Sequence, residues 1–222
     1  DDPVALERFR TGLDIVTYEF ENVPVEAAES IAAHVPIFPP PIALRIAQDR
    51  LNEKEMFRRL GIPTPKFAAV DSLVELEEAV ARIGLPAVLK TRRLGYDGKG
   101  QFVLRSPRDI ATAWKELGSV PLILEAFVNF DREVSLLTVR GQKGTTAFYP
   151  LVENHHREGI LRLSLAPAAH VDGPLQSLAE RYGRLLAEEL DYVGVLALEL
   201  FQVGHELFAN EMAPRVHNSG HW

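Results

Sequence analysis

The chain of 222 residues is 46% apolar and 25% charged, carries a formal net charge of -7 and contains no cysteine. It is long enough to bury a real core across one or two sub-domains, while the missing thiols exclude disulfides, thiol nucleophiles and cysteine-ligated zinc and fit a reducing compartment. The acidic balance argues against general nucleic-acid binding. No apolar run approaches the roughly 18 residues of a membrane span, and the opening DDPVALERFR is acidic where a signal peptide is basic, so a soluble, cytoplasmic protein without membrane or nucleic-acid partners is the expectation.

In chain order, DIVTYEF predicts a strand and VPVEAAESIAAH a helix with Pro near its start. The prolines at 39 to 41 forbid helix interior and central strand, and mark a break. QDRLNEKEMFRRLGIPTP then predicts a helix capped by Asp49 and ended by Gly61; SLVELEEAVARIGLP predicts another, with Ser72 and Glu75 as a capping box and Gly84 as its stop.

From Pro86 the period changes from helical to alternating. PAVLKT, QFVLR, PLILEAF, REVSLLTVR and GTTAFYPL are short β-rich runs between turn residues, with one helix, SPRDIATAWKELG, among them. ENHHREGILRLSLAP reads as a polar insert. A long helix, GPLQSLAERYGRLLAEELD, precedes two strands, VGVLALELFQV and HELFANEMAP, joined at Gly204 as a hairpin. The expected class is α/β with an α+β arrangement of largely antiparallel sheets. Half an α/β unit at the start and no closing element after NSGHW make the sequence read as one cut at both ends.

Lys90 ends the apolar run LPAVLK, where an ammonium is costly unless an anion answers it; on position alone, a lysine reaching out from a strand end is the plainer account. The stretch that follows changes the balance. RRLGYDGKGQ carries glycines at 95, 98 and 100 with Arg92, Arg93 and Lys99, and so brings main-chain N–H groups and positive charge together as a phosphate cradle does, without a Walker ending. The alternative is a decorated hairpin turn around Asp97–Gly98.

Alternation in VGVLALELFQV puts Glu199 on a half-buried face with Val195, Ala197 and Phe201, and Glu211 falls on the returning strand, so the two carboxylates can share one site. Hard oxygen ligands of this kind, with Asn210 beside them, suit Mg²⁺; salt bridges to arginines, Arg215 among them, are the even alternative. Glu125 and Glu133 in PLILEAFVNFDREVS offer acceptors for a nucleoside, or are ordinary strand-end glutamates. His155, His156, His217 and His221 form no helical i, i+4 pair, and no zinc site is expected.

LKTRRLGYDGKGQ, LEAFVNFDREVS, ALELF, NEMAPRVHNSGHW and TYEFENVP, which together span nearly the whole chain, resemble the 5-(carboxyamino)imidazole ribonucleotide synthases (PurK) of the ATP-grasp superfamily. The resemblance implies an ATP-grasp fold: a remnant of the N-terminal α/β domain over 1–41, a helical linker over 42–85, a lid sub-domain over 86–128 and a large sub-domain over 129–222. It also implies ATP- and Mg²⁺-dependent carboxylation of 5-aminoimidazole ribonucleotide by bicarbonate through carboxyphosphate, in a homodimer. Arg50, Lys90 and the loop Gly95, Tyr96, Asp97, Gly98, Lys99, Gly100 and Gln101 then resemble ATP-phosphate contacts. Glu125, Ala126, Phe127 and Val128 resemble the adenine hinge, with Glu133 on the ribose, His156 near the nucleotide and Asn210 beside the metal ligands Glu199 and Glu211. Arg215, His217, Asn218 and Ser219 would surround the carboxylate chemistry; Tyr96, Asp97 and Glu21 would meet the ribonucleotide, with Asp97 handling the amine proton. An ATP-binding fragment without turnover, or another ATP-grasp carboxylate–amine ligase, are the alternatives.

Overall fold

The computed structural model describes residues 2–95, 99–118 and 120–222. The chain begins with three short helices, α1 (Pro3–Arg10), α2 (Val25–Ala32) and α3 (Pro41–Ala47), whose apolar residues gather with Val16 and Ile37 in a small core around Leu44. The strand expected from DIVTYEF contracts to a single parallel bridge, Val16 with Ile37. Val16 N–H donates to Pro36 O, and Val16 O accepts from Phe38 N–H. The next donors on that side would be residues 36 and 40, both prolines without an N–H. The proline cluster breaks the chain as expected but also starts α3, because Pro41 presets the helical φ at a position whose N–H would be unpaired anyway.

Helix α4 (Arg50–Arg59) is capped by Asp49, whose carboxylate accepts from Leu51 N–H at 3.0 Å. Four of its side chains, Glu53, Lys54, Met56 and Phe57, are buried. Two are apolar and two are charged, which matters below.

A first sheet comprises β1 (Phe67–Val70), β2 (Ala87–Thr91), β3 (Gln101–Leu104) and β4 (Leu122–Ala126), in the order β1-β4-β2-β3 with antiparallel pairings. Helices α5 (Leu73–Ile83) and α6 (Asp109–Leu117) cover one face around Leu76, Leu89, Leu104 and Leu124. Ser72 caps α5 at Glu75 N–H, and Glu75 reaches back to Asp71 N–H at 2.6 Å. The short strand β1 was not legible as a strand; it pairs along β4, so the sheet begins upstream of the boundary expected at residue 86 and takes α5 with it.

The second sheet is built from β5 (Arg132–Arg140), β6 (Thr146–Phe148), β7 (Val152–Arg157), β8 (Ile160–Leu165), β9 (Gly194–Val203) and β10 (Glu206–Ala213), in the order β10-β9-β5-β7-β8 with β6 on β5. Helix α7 (Gly173–Glu189) packs on the face formed by Val134, Leu136, Leu198 and Leu200, together with Met56 and Phe57 of α4. The segment expected as a polar insert is the hairpin β7–β8, turned at Glu158 and Gly159, both with positive φ. It lies at the sheet edge, where most of its side chains meet solvent, and this explains a polar sequence in a strand pair. The hairpin β9–β10 turns at Gly204 as expected, and a β-bulge interrupts its register between Ala209 and Glu211.

Candidate active site

The two sheets present their uncovered faces to one cleft of roughly 490 Å³. Period-two alternation decides which side chains enter it. On β2, Ala87 and Leu89 join the core under α5 and α6, so Val88 and Lys90 face the cleft. On β9, Leu198 and Leu200 pack under α7, so Glu199 and Phe201 face it. One end of the cleft is aromatic, with Phe127, Phe130 and Phe201; Phe130 and Phe201 stack at 4.8 Å and 9°. The other end is charged and collects Arg50, Lys90, Glu199 and Glu211. A planar ring with an anionic tail fits such a division.

The bulge on β10 shapes the charged end. Ala209 pairs with Leu200 on the core side and Glu211 pairs with Glu199 on the cleft side, with Asn210 as the extra residue between them. Two carboxylates directly opposite on adjacent strands repel unless cations or hydrogen-bond donors answer them. Arg50 Nη1 donates to Glu211 Oε2 at 2.7 Å, and His217 Nε2 lies 3.0 Å from Glu199 Oε1. Burial would push the Glu211 carboxyl up, but Arg50, Lys90 and Lys54 hold it below the usual range. The same pair keeps Arg50 charged against its own burial.

Each contact engages one oxygen per carboxylate, and Asn210 Oδ1 is buried with no hydrogen-bond partner among the described residues. An all-oxygen set of two carboxylates and an orphaned amide fits a hard divalent cation such as Mg²⁺. Among the described residues no group of three His, Cys, Asp or Glu side chains converges as a metal cage. A cation here would therefore take remaining oxygens from a phosphate ligand or water, as Mg²⁺ commonly does.

Of the sequence-predicted residues, Glu21, Arg50, Lys90, Gly95, Lys99, Gln101, Phe127, Glu133, His156, Glu199, Asn210, Glu211, Arg215, His217 and Asn218 line this one cleft. Glu133 and the His156 imidazole pair with each other, and this contact raises the His156 pKa against the opposing effect of burial. Arg215 does not neutralise the paired glutamates; its Nε donates to Glu21 Oε2 at 2.9 Å.

Other expected residues place their side chains outside the cleft or lie beyond what the structure describes. Glu125 is not an outward acceptor: its side chain is 3% exposed and its Oε2 lies 3.2 Å from both Lys54 Nζ and Lys90 Nζ. Its pKa falls to about 2, because Lys54, Lys90 and Arg50 outweigh the burial that would raise it. Ala126 and Val128 flank Phe127 without lining the cleft. Gly100 does not line the cleft; its φ is +70 and an added Cβ would lie only 2.7 Å from Thr91 Oγ1, so a side chain does not fit there. Ser219 is fully buried against Ser135 and His217 rather than facing the cleft. Tyr96, Asp97 and Gly98 lie outside the described residues.

Sequence reasoning missed the charged stripe of α4. Glu53 Oε1 accepts from Met212 N–H at 2.6 Å, and Lys54 Nζ donates to Ala209 O at 3.2 Å, so with Arg50 one helix face grips β10 on both sides of the bulge. Burial, followed by the nearby Glu211, pushes the Glu53 pKa up to about 8. Their signal was a charged pair at the helical period of Phe57, where an apolar residue is expected. Arg92, expected as a charge of the glycine-rich loop, lines the cleft but spends its guanidinium on a two-pronged contact to Asp49 at 2.7 and 3.0 Å, which ties the end of β2 to the cap of α4.

Comparison with known proteins agrees with this architecture. Residues 1–48 match the ribonucleotide synthetase preATP-grasp domain family. The chain is 59% identical over its full length to an N5-carboxyaminoimidazole ribonucleotide synthase of Pseudomonas aeruginosa and spans 61% of that protein's length; a synthase of Synechococcus elongatus is 40% identical, with 56% of it spanned. The crystal structure of the Thermus thermophilus N5-carboxyaminoimidazole ribonucleotide synthetase superposes with a TM-score of 0.95 at 60% identity, covering all of this chain and 60% of that one. An Aspergillus clavatus synthase in complex with ADP and 5-aminoimidazole ribonucleotide superposes with a TM-score of 0.91 at 30% identity, covering all of this chain and 58% of that one. Residues 55–222, which hold both sheets and every strand of the cleft, match the ATP-grasp domain family, and the chain belongs to it.

Proposed function

We propose that the chain is the nucleotide-binding part of an enzyme that carboxylates 5-aminoimidazole ribonucleotide with bicarbonate at the expense of ATP. The observation that carries this reading is the charged end of the cleft. Across it, the Glu199–Glu211 pair with Asn210 faces Lys90 and Arg50, an arrangement suited to polyphosphate and Mg²⁺ together. The magnesium ion would be held by Glu199, Glu211 and Asn210, and would supply charge neutralisation on the transferring phosphoryl group.

Lys90 and Arg50 would bind the phosphates, with Lys99 and Gln101 closing beside them. Phe127 and the stacked Phe130–Phe201 pair would receive the adenine, and Glu133 the ribose. Bicarbonate oxygen would take the γ-phosphoryl group and release ADP. The ribonucleotide amine would then attack the carboxyl carbon, losing a proton as phosphate leaves. Arg215, His217 and Asn218 line the cleft where that negative charge develops, and Glu21 fixes the Arg215 guanidinium. Asp97 is the proposed acceptor of the amine proton, and Tyr96 a contact to the same substrate.

The carboxylase reading is tested by ADP release with bicarbonate and 5-aminoimidazole ribonucleotide supplied singly and together. Release that requires both supports it. Release indifferent to either overturns it in favour of another ATP-grasp ligase, and nucleotide binding without release in favour of a non-catalytic fragment. The family likeness also carries a cytoplasmic homodimer, which light scattering of the purified protein tests for its oligomeric part. Among the described residues no helix is long and apolar enough to cross a membrane.

A further inference from the structure

A chain of buried hydrogen bonds starts away from the cleft and ends on Glu199. Ser164 Oγ on β8 donates to Asn154 Oδ1 on β7 at 3.0 Å, and Asn154 Nδ2 donates to Ser135 Oγ on β5 at 2.9 Å. Ser135 Oγ donates to Ser219 Oγ at 2.8 Å, Ser219 Oγ lies 2.8 Å from His217 Nδ1, and His217 Nε2 lies 3.0 Å from Glu199 Oε1. Ser135 and Ser219 are fully buried, and Asn154 and His217 nearly so. None of Ser135, Asn154, Ser164 and Ser219 lines the cleft. Sheet register puts them in line: Ser164 is the cross-strand partner of Asn154, and Ser135 is the partner of Glu199.

The direction of this chain follows from one unambiguous donor. His217 precedes the 3₁₀ turn Asn218–Gly220 and caps it, accepting the backbone N–H of Ser219 on Nδ1 at 3.4 Å. A main-chain N–H only donates. Nδ1 is therefore the bare nitrogen, the ring proton sits on Nε2, and it points at the Glu199 carboxylate. Every remaining link then runs the same way, from Ser164 toward Glu199, with each hydroxyl donating forward and accepting from behind.

We infer that Asn154, Ser135 and Ser219 are positioning residues that lock His217 as the Nε2–H tautomer and so orient Glu199 for the cation. The inference rests on the reading of Glu199 as a cation ligand. The chain does for a carboxylate what a carboxylate or carbonyl does behind a metal-bound histidine: it fixes the hydrogen-bonding partner of the ligand from outside the site. It also accounts for four polar side chains packed beside a β-sheet core, each of which would be costly to bury alone.

Two measurements test it. The first uses the metal-free wild-type protein with ¹⁵N-labelled histidine, near pH 8.5, about two units above the ordinary histidine pKa, with the His217 signal assigned by its loss in His217→Gln. A proton on Nε2 with bare Nδ1 supports the inference; the opposite tautomer, or exchange between the two, overturns it. The second measures ADP affinity with and without Mg²⁺ in Ser135→Ala and Ser135→Thr. The alanine variant is expected to lose about tenfold of the metal-dependent gain in affinity, the scale of losses seen when a ligand's supporting partner is removed, with metal-free affinity unchanged and the gain restored by threonine. Parallel loss with and without metal, or no loss, overturns it. If Ser135→Ala does not fold, the wild-type tautomer still decides. A wild-type protein that shows the Nε2–H tautomer but gains no ADP affinity from Mg²⁺ would sink the cation-site reading and leave the tautomer assignment standing.

Discussion

Lys54 of α4 and Glu125 of β4 form a buried ion pair that joins the two sheets across the floor of the cleft: Nζ lies 3.2 Å from Oε2, and the side chains are 1% and 3% exposed. The same ammonium donates to Ala209 O on β10, and the same carboxylate holds Lys90 on β2. One buried pair therefore fixes the positions of a cleft lysine on one sheet and of the bulge that carries Asn210 and Glu211 on the other. Replacing Lys54 by Met keeps the volume and leaves Glu125 with Lys90 alone. Breaking a buried pair costs about 3–5 kcal/mol, and the remaining lysine puts the expected loss near the lower figure. A urea midpoint lowered at unchanged slope would show it.

The floor also sets a pH dependence of two signs. Glu125 has its pKa drawn down from 4.5 to about 2 in the folded chain, so its contribution is complete above pH 4.5 and is lost as pH falls toward 2. Glu53 is shifted the other way, from 4.5 to about 8; the folded chain holds a proton that the unfolded chain has released, and stability falls as pH rises between those values. Glu53→Gln keeps an acceptor for Met212 N–H but cannot ionise. It is expected to remove a slope of up to about 1.4 kcal/mol per pH unit between pH 4.5 and 8, measured by chemical unfolding across that window. An unchanged slope would assign the titration to another group.

Glu211→Gln removes a charge from the Arg50 contact and from the proposed cation site together. Binding of ADP with Mg²⁺ should weaken at least as much as the roughly 10–100-fold that follows loss of a partner behind a metal ligand, while binding of the proposed substrate, 5-aminoimidazole ribonucleotide, is largely kept. Calorimetric titration of each ligand separates the two. Equal loss of both would make this glutamate a folding residue.

At Gly100, the left-handed φ and the Thr91 side chain act against any Cβ. Gly100→Ala is expected to destabilise by more than about 1 kcal/mol, since alanine at positive φ costs more than the entropy it saves. Adding Thr91→Ala should recover part of that loss, the part due to contact with the threonine side chain, and leave the backbone part. Thermal unfolding of the single and double variants checks the division.

Much of this was readable from local pattern. The caps at Asp49 and Ser72, the stops at Gly61 and Gly84 and the hairpin at Gly204 are short-range effects carried by one or two residues, and all stand in the structure. Alternation in VGVLALELFQV was enough to put Glu199 on the uncovered face, and the register put Glu211 opposite it. Where the pattern misled, a neighbour decided. DIVTYEF has strand composition but lacks ladder donors beside it, and ENHHREGILRLSLAP has loop composition but pairs along a sheet edge.

The sequence by itself determined the helix caps, the turn glycines and the polar face of the β9 strand, because caps, turn residues and apolar period act within a few residues along the chain. Only the tertiary structure decided which charged and polar groups meet. Lys54 and Glu125 are far apart in sequence, as are Arg50 and Glu211 or Ser135 and Ser219. No local pattern marks a charge for burial; its partner arrives from a distant element, and the cost of leaving it unpaired acts only once the two surfaces have closed over it.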